Sequence, residues 1–428
     1  MFKKILITII IVLIIILTVL LVWAFIISKN SGGDITVQES LRELVSFGGS
    51  DSSSNSVFRR NGTDFITDFS NTNTDQGSGV DVSTLRLRKV ASFPVAGAYV
   101  VENEDEDRDT AVRFIARENG NIFDTLVDAT TQERISNTTI LRIRDTFWLP
   151  GGEAFIARFL NEEGSQIESF YAQLISEDIV DEEKDDLGPT ISLDGLFLPK
   201  NITSFAFSSD KEKIFYLTPN GSGSVGIISN PDGSKKVQIF DSPLSEWEVM
   251  WPDGDNIALT TKPSASIQGY LYFLNSKTEK LKKILSDIGL TTLIRNDAKK
   301  VLFTRNDAGK LLLAVMDIKS GDIIDLPIWT LAEKCIWSKK NANIVYCGVP
   351  DIAPNSNDLD RWYQGETSFS DSIWMIDIET QTANILIEPV AVVGEDIDMI
   401  KPIMSDNENY LFFINKKDSS LWQLKLEL

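Results

Sequence analysis

The chain has 428 residues, with 41 Lys and Arg against 62 Asp and Glu, a net charge of −21, two cysteines and no histidine. Without histidine there is no Ser-His-Asp or Cys-His nucleophile, no imidazole base and no His-ligated metal, and two cysteines cannot supply a four-cysteine zinc site or iron–sulfur cluster. So acidic a body repels nucleic-acid phosphates, and no DNA or RNA partner is expected.

Ile5–Ile27 carries no charge and is polar only at Thr8 and Thr18. As a helix rising 1.5 Å per residue it is long enough to cross a hydrocarbon core of about 30 Å. Lys3 and Lys4 precede it and only Lys29 follows closely, so the positive-inside rule puts the N-terminus in the cytoplasm and the body outside. The run exceeds a signal-peptide core and no Ala-x-Ala site follows, which favours an uncleaved anchor over a cleaved signal. The expected localisation is a cell membrane, crossed once, with an extracytoplasmic body. The sequence divides into an anchor (1–29), a linker (30–82) and a folded domain (83–428). Within the linker, Thr36 and Glu39 form a capping box ahead of Val37, Leu41, Leu44 and Val45, and a tether rich in Ser, Asn, Thr, Gly and Asp follows.

From about Leu85 the chain reads as short strands. Ile214–Leu217, Ile257–Thr260, Val301–Thr304, Ile344–Cys347 and Tyr410–Ile414 are apolar or β-branched runs, each after a polar turn. One signal recurs, an aromatic or apolar strand end followed by an Asp, Asn or Gly turn. It is seen at Trp148-Leu-Pro-Gly-Gly, Phe207-Ser-Ser-Asp, Trp251-Pro-Asp-Gly, Arg295-Asn-Asp-Ala, Trp337-Ser-Lys-Lys and Met404-Ser-Asp-Asn. A second, hairpin signal lies further on, at Asn275-Ser-Lys-Thr, Asp317-Ile-Lys-Ser-Gly and Asp377-Ile-Glu-Thr. Starts at 207, 251, 295 and 337 give a period of roughly 40–45 residues, the mark of a four-stranded propeller blade. A weaker unit begins near Phe93, so starts at 93, 148, 207, 251, 295, 337 and 404 predict an all-β, seven-bladed β-propeller. The step from 337 to 404 is longer and holds an insertion. The last unit lacks an outer strand, and Ser83–Lys89, alternating Leu85 and Leu87 with Arg86 and Arg88, is its expected donor.

The turns Trp337-Ser-Lys-Lys and Trp251-Pro-Asp-Gly, followed by Asp-x-x-Ser/Thr hairpins, resemble the WD40-like repeats of TolB-type propellers over about residues 85–428. The whole chain also resembles membrane-anchored propeller proteins of candidate-phylum bacteria, a likeness that implies no particular activity. Both resemblances imply a propeller. The Gly-His pair of true WD40 repeats is absent.

Four features carry candidate chemistry. Cys335 and Cys347 flank the turn 338–343, in a register that makes them cross-strand neighbours; a disulfide and two buried thiols are both compatible. The run 102–109 holds Glu104, Asp105, Asp107 and Asp109, a weak Ca2+ candidate against the simpler reading of a solvated acidic turn. It is expected to join the second and third strands of the first unit, and so to share a face with the insertion. A second acidic stretch, 177–186, reads as a solvated loop. The insertion 351–367 carries Asp358, Asp360, Arg361, Trp362 and Tyr363. Aromatic residues beside Arg suit an interface anchor for a protein or glycan, and equally a plug folded over its own blade.

These readings lead to a membrane-anchored extracytoplasmic module that binds or scaffolds a protein, peptide or glycan, with no cofactor required. The alternatives are an exported polysaccharide hydrolase or lyase working through carboxylates, which needs no histidine, and a subunit of a cell-envelope assembly. No pair of carboxylates is singled out by the sequence.

Overall fold

The computed structural model describes residues 85–102, 110–136, 139–177 and 190–426. The apolar run Ile5–Ile27, the linker and the acidic residues 103–109 lie outside them. Among the described residues no helix is long and apolar enough to cross a membrane.

Seven four-stranded antiparallel sheets form in chain order. The innermost strands are Val95–Val101, Ile143–Trp148, Ser204–Phe207, Trp247–Met250, Thr291–Ile294, Cys335–Trp337 and Met399–Met404. The second strands are the most deeply buried: Ile214, Phe215, Tyr216 and Leu217 are inaccessible, as are Val301, Leu302 and Phe303. Each is covered on both sides by neighbouring blades, so it is selected as a continuous apolar run rather than an alternating one. The core is accordingly divided into layers between adjacent blades. Trp148, Trp251 and Trp337, at or next to the ends of innermost strands, each close one such layer.

The recurrent turn signal marks the connection from first to second strand. There the side chain of Asp253 accepts from the backbone N–H of Asp255 and Asn256, and Asp297 and Asn407 hold their own turns in the same way. The hairpin signals at Asn275, Asp317 and Asp377 repeat this device between third and fourth strands. The pairing of third with fourth strand carries a register shift in the third to seventh blades, which adds twist at the rim.

The seventh blade is completed from the front of the chain. Leu87–Ala91 pairs with Leu421–Lys425 in the register Leu87↔Leu424, Arg88↔Gln423 and Lys89↔Trp422. The donor strand lies slightly later than Ser83–Lys89, and Arg88 does not face water. Its guanidinium is buried, donating to the carbonyls of Leu126, Val127 and Ala129 in the first blade and to Gln423 in the seventh.

One expectation is corrected. Val95–Val101 is the first strand of its sheet and Ala111–Ala116 the second. The run 102–109 therefore joins first to second strand, not second to third. The first blade carries a long acidic connection where the second carries Pro-Gly-Gly and the third to seventh carry the Asp or Asn turn, so Phe93-Pro94, which precede the strand, do not match the repeat. Strands in an antiparallel blade reverse at each turn. First-to-second connections thus lie at one end of the ring (the turn face), and second-to-third connections at the other (the entry face), where the chain enters each innermost strand.

Candidate functional site

The insertion lies on the entry face. It follows the strand Ile344–Pro350 and ends at Asp371, where the next strand begins. Its one helix, Asp358–Gln364, stops at Gly365, whose φ of 77° suits glycine. The insertion spans several blades. Asp360 accepts from the backbone N–H of Ala265 (2.9 Å) in the fourth blade, Lys310 of the fifth donates to Asn355 (3.1 Å), and Lys416 of the seventh donates to the Thr367 carbonyl (3.2 Å). Leu359, Trp362 and Phe369 pack with Ala265, Leu311 and Leu331 into a small core of their own.

The candidate residues of this helix have distinct fates. Trp362 is only 4% exposed, stacks on Phe369 and gives its indole N–H to Asp398 Oδ2 (2.8 Å). Tyr363 donates its hydroxyl to Glu333. Asp360 is occupied by Ala265, and Asp358 accepts from the Asn355 N–H (2.9 Å). Arg361 stands exposed between Asp358 and Glu366, at 3.5 and 3.6 Å. The indole is thus a plug in this arrangement, and Arg361 is the group of the five that meets solvent most freely.

Beneath the plug lies a cluster that sequence reasoning missed. Lys334 is inaccessible and its Nζ contacts two carboxylates, Asp371 Oδ2 at 2.7 Å and Asp398 Oδ1. Lys334 precedes the innermost strand of the sixth blade, Asp371 opens that blade's third strand, and Asp398 precedes the innermost strand of the seventh. The signal available in the sequence was charge inside otherwise apolar stretches, Glu333 and Lys334 within 328–337 and Asp398 within 397–400. Burial pushes the Asp371 carboxyl up to about 6, with Lys334 opposing. Burial also pushes Glu333 up to about 7, with the Tyr363 hydrogen bond opposing and the charge of Glu248 adding. Burial and the adjacent Glu333 raise Tyr363 well above the ordinary phenol range.

Inside the ring, toward the turn face, is a cavity of about 650 Å³. Its wall combines Tyr99, Phe147, Trp148 and Phe207 with Ile336 and Ile403, and its polar groups are Lys211, Lys339, Lys401, Glu102 and Asp406. Three lysines against two carboxylates make it locally cationic in a strongly acidic chain. Lys339 pairs with Asp406 and donates to the Met404 carbonyl (2.9 Å), while the Asp406 N–H donates to Glu102. Lys401 donates to the Ala96 carbonyl (3.2 Å) and lies over the Phe147 ring. Burial lowers the pKa of Lys211, and the nearby Lys339 lowers it further. Trp148, Phe207, Lys339 and Met404 come from the repeat signals. Their convergence on one cavity follows from the ring, not from any local motif.

Cys335 and Cys347 lie directly opposite each other in register and are joined as a disulfide, with an S–S distance of 2.12 Å. Glu104, Asp105, Asp107 and Asp109, the Ca2+ candidates, lie outside the described residues. Among the described residues no group of three Asp, Glu, Cys or His side chains is placed to hold a metal ion.

The molecule is a closed seven-bladed β-propeller with an N-terminal strand completing its last blade. No family model matches the chain and no curated protein does either. Among solved structures it is similar to an oligogalacturonate lyase from Vibrio parahaemolyticus (8% identity, 78% of this chain and 98% of that one, TM-score 0.48). It is also similar to the β-propeller domain of the Trilobed protease from Pyrococcus furiosus (12%, 79% and 95%, TM-score 0.48) and to TolB from Acinetobacter baumannii (15%, 77% and 79%, TM-score 0.39). At these identities and scores the likenesses say nothing of activity, metal or partner.

Proposed function

We propose that the chain is a binding module, held outside a cell membrane by Ile5–Ile27, whose ligand inserts an acidic, partly apolar group into the cavity at the turn face. The supporting observation is the cavity itself. Its volume lies within the roughly 300–1,000 Å³ usual for ligand sites, its wall is aromatic, and its lysines include Lys211, whose ammonium makes no hydrogen bond among the described residues. A desolvated ammonium beside aromatic rings suits a carboxylate borne on a peptide, protein segment or glycan.

Titration of acidic peptides and anionic oligosaccharides, followed through Trp148 fluorescence, tests the site. Lys211→Glu should weaken binding by about tenfold to a hundredfold, the loss of one charge-assisted hydrogen bond. Unchanged affinity would remove the cavity from recognition. Protease added to intact spheroplasts should digest the propeller, and full protection would overturn the topology. A second reading, a carboxylate-dependent polysaccharide hydrolase or lyase, is favoured by one observation on the entry face. Glu333, pushed up to about 7 with the Tyr363 hydroxyl donating to it, can take up and release a proton near neutral pH. Turnover of polysaccharide that Glu333→Gln abolishes would establish it.

A further inference from the structure

The buried cluster of Lys334, Asp371 and Asp398 has no part in either reading of function. Its geometry is unusual for a structural ion pair. Asp398 has both oxygens occupied, Oδ1 by Lys334 and Oδ2 by the Trp362 indole N–H (2.8 Å) and the Phe369 backbone N–H (3.0 Å). Asp371 is lopsided. Its Oδ2 accepts from Lys334 Nζ (2.7 Å) and from the Met399 N–H (2.6 Å), while Oδ1 is buried with no partner. The amine is enclosed by rings, 4.9 Å from Phe369 and 5.6 Å from Trp362.

We propose that Lys334 and Asp371 condense into an intramolecular amide between Nζ and Cγ, with Asp398 as the proton carrier. The Lys334 ammonium gives a proton to Asp398, and the freed lone pair attacks Cγ of the Asp371 carboxylic acid. The N–C bond forms, and Oδ2, held by the Met399 N–H, carries the developing negative charge. Collapse breaks the bond from Cγ to Oδ1, the oxygen with no partner. Oδ1, already carrying the acid proton, takes the proton that Asp398 received and leaves as water, and Asp398 accepts the second proton that the nitrogen sheds. One ammonium, one carboxylic acid and the Asp398 carboxylate become one amide, one water and a protonated Asp398, and no oxidant, reductant or cofactor takes part.

Three physical arguments support the reaction. The groups are held in contact, so no entropy of encounter opposes it. Two charges buried away from water cost several kcal/mol each, and the amide is neutral. Burial also favours the protonated form of Asp371 that the attack requires, since its carboxyl is pushed up to about 6. In the product, the amide N–H still faces Asp398, no ion pair is left buried, and Lys416 lies 4.6 Å from the Trp362 ring.

Mass spectrometry of the full chain, extracted in detergent and reduced, tests the bond. The expected mass is about 18 Da below that of the sequence, one water lost. Trypsin should fail to cut after Lys334, and fragmentation should show Lys334 joined to Asp371. Asp371→Ala should show the full mass of its sequence whether or not it folds well, and Asp398→Asn should be mostly unlinked. A wild-type chain at full mass, cut after Lys334, overturns the proposal. So does an 18 Da deficit that maps elsewhere, such as an aspartyl succinimide. Complete linkage in Asp398→Asn would overturn the role given to Asp398.

Discussion

Trp362→Ala tests whether the insertion is part of the fold. The indole is 4% exposed, packed with Leu359, Phe369, Leu311 and Leu331, and bonded to Asp398. Truncating a buried Trp to Ala costs about 3–5 kcal/mol through lost burial and the cavity left behind. Losing the donor adds about 1 kcal/mol, since Asp398 Oδ2 keeps the Phe369 N–H. A total of about 4–6 kcal/mol should lower the urea midpoint by at least about 1 M, read by far-ultraviolet circular dichroism. Trp362→Phe keeps a ring and loses the N–H, so it should cost about 1–2 kcal/mol. If Ala and wild type share a midpoint, the indole does not seal this face and the packing argument fails. If the Ala variant keeps its midpoint yet loses partner capture, Trp362 is an anchor and the ligand site moves to the insertion.

Three further outcomes follow from named contacts. Arg88→Met should destabilise the ring by about 3 kcal/mol in urea unfolding, because the guanidinium ties carbonyls of the first blade to Gln423 of the seventh; an unchanged midpoint would show that ring closure does not depend on it. Denatured protein should present no reactive thiol before reduction and two after, and Cys335→Ser with Cys347→Ser should cost about 3 kcal/mol for a loop of 12 residues; two thiols without reductant would refute the bridge. The folded state raises Glu333 from 4.5 to about 7, so it binds protons more tightly than the unfolded chain, and its stabilising contribution is present below pH 4.5 and lost as pH rises through 7. Glu333→Gln should flatten the fall in stability between those values, and identical slopes would show that the carboxyl is not desolvated.

The number of blades was legible because the fold writes it in two kinds of residue. Second strands such as Ile214–Asn220 and Lys300–Asp307 are covered on both sides and read as apolar runs, while side chains such as Asp253 and Asp297 mark the turns. Outer strands face water and, apart from the donor strand of the seventh blade, were not legible; the fourth strand of the first blade is only Glu133–Arg134, both exposed. Arg88 misled for a physical reason. Alternation assigns a charged side chain to solvent, but three carbonyls and an amide oxygen can satisfy a guanidinium inside the protein. Lys334, Asp371 and Asp398 lie on three separate segments, and only the closing of blade on blade brings them together. The same holds for Lys211, Lys339 and Lys401.

The two ends of the ring differ in what they can give up. On the entry face, the groups the insertion presents are spoken for: the indole by Asp398, the phenol by Glu333, Asp360 by Ala265 and Asp358 by Asn355. A ligand seated there would have to displace internal hydrogen bonds worth about 1 kcal/mol each, and would expose apolar surface that now supports the fourth to seventh blades. On the turn face the cavity offers space between aromatic walls, and among the described residues the Lys211 ammonium has no hydrogen bond to surrender. On these contacts a ligand would cost less to seat at the turn face than at the entry face, where the sixth blade carries the disulfide and the buried lysine.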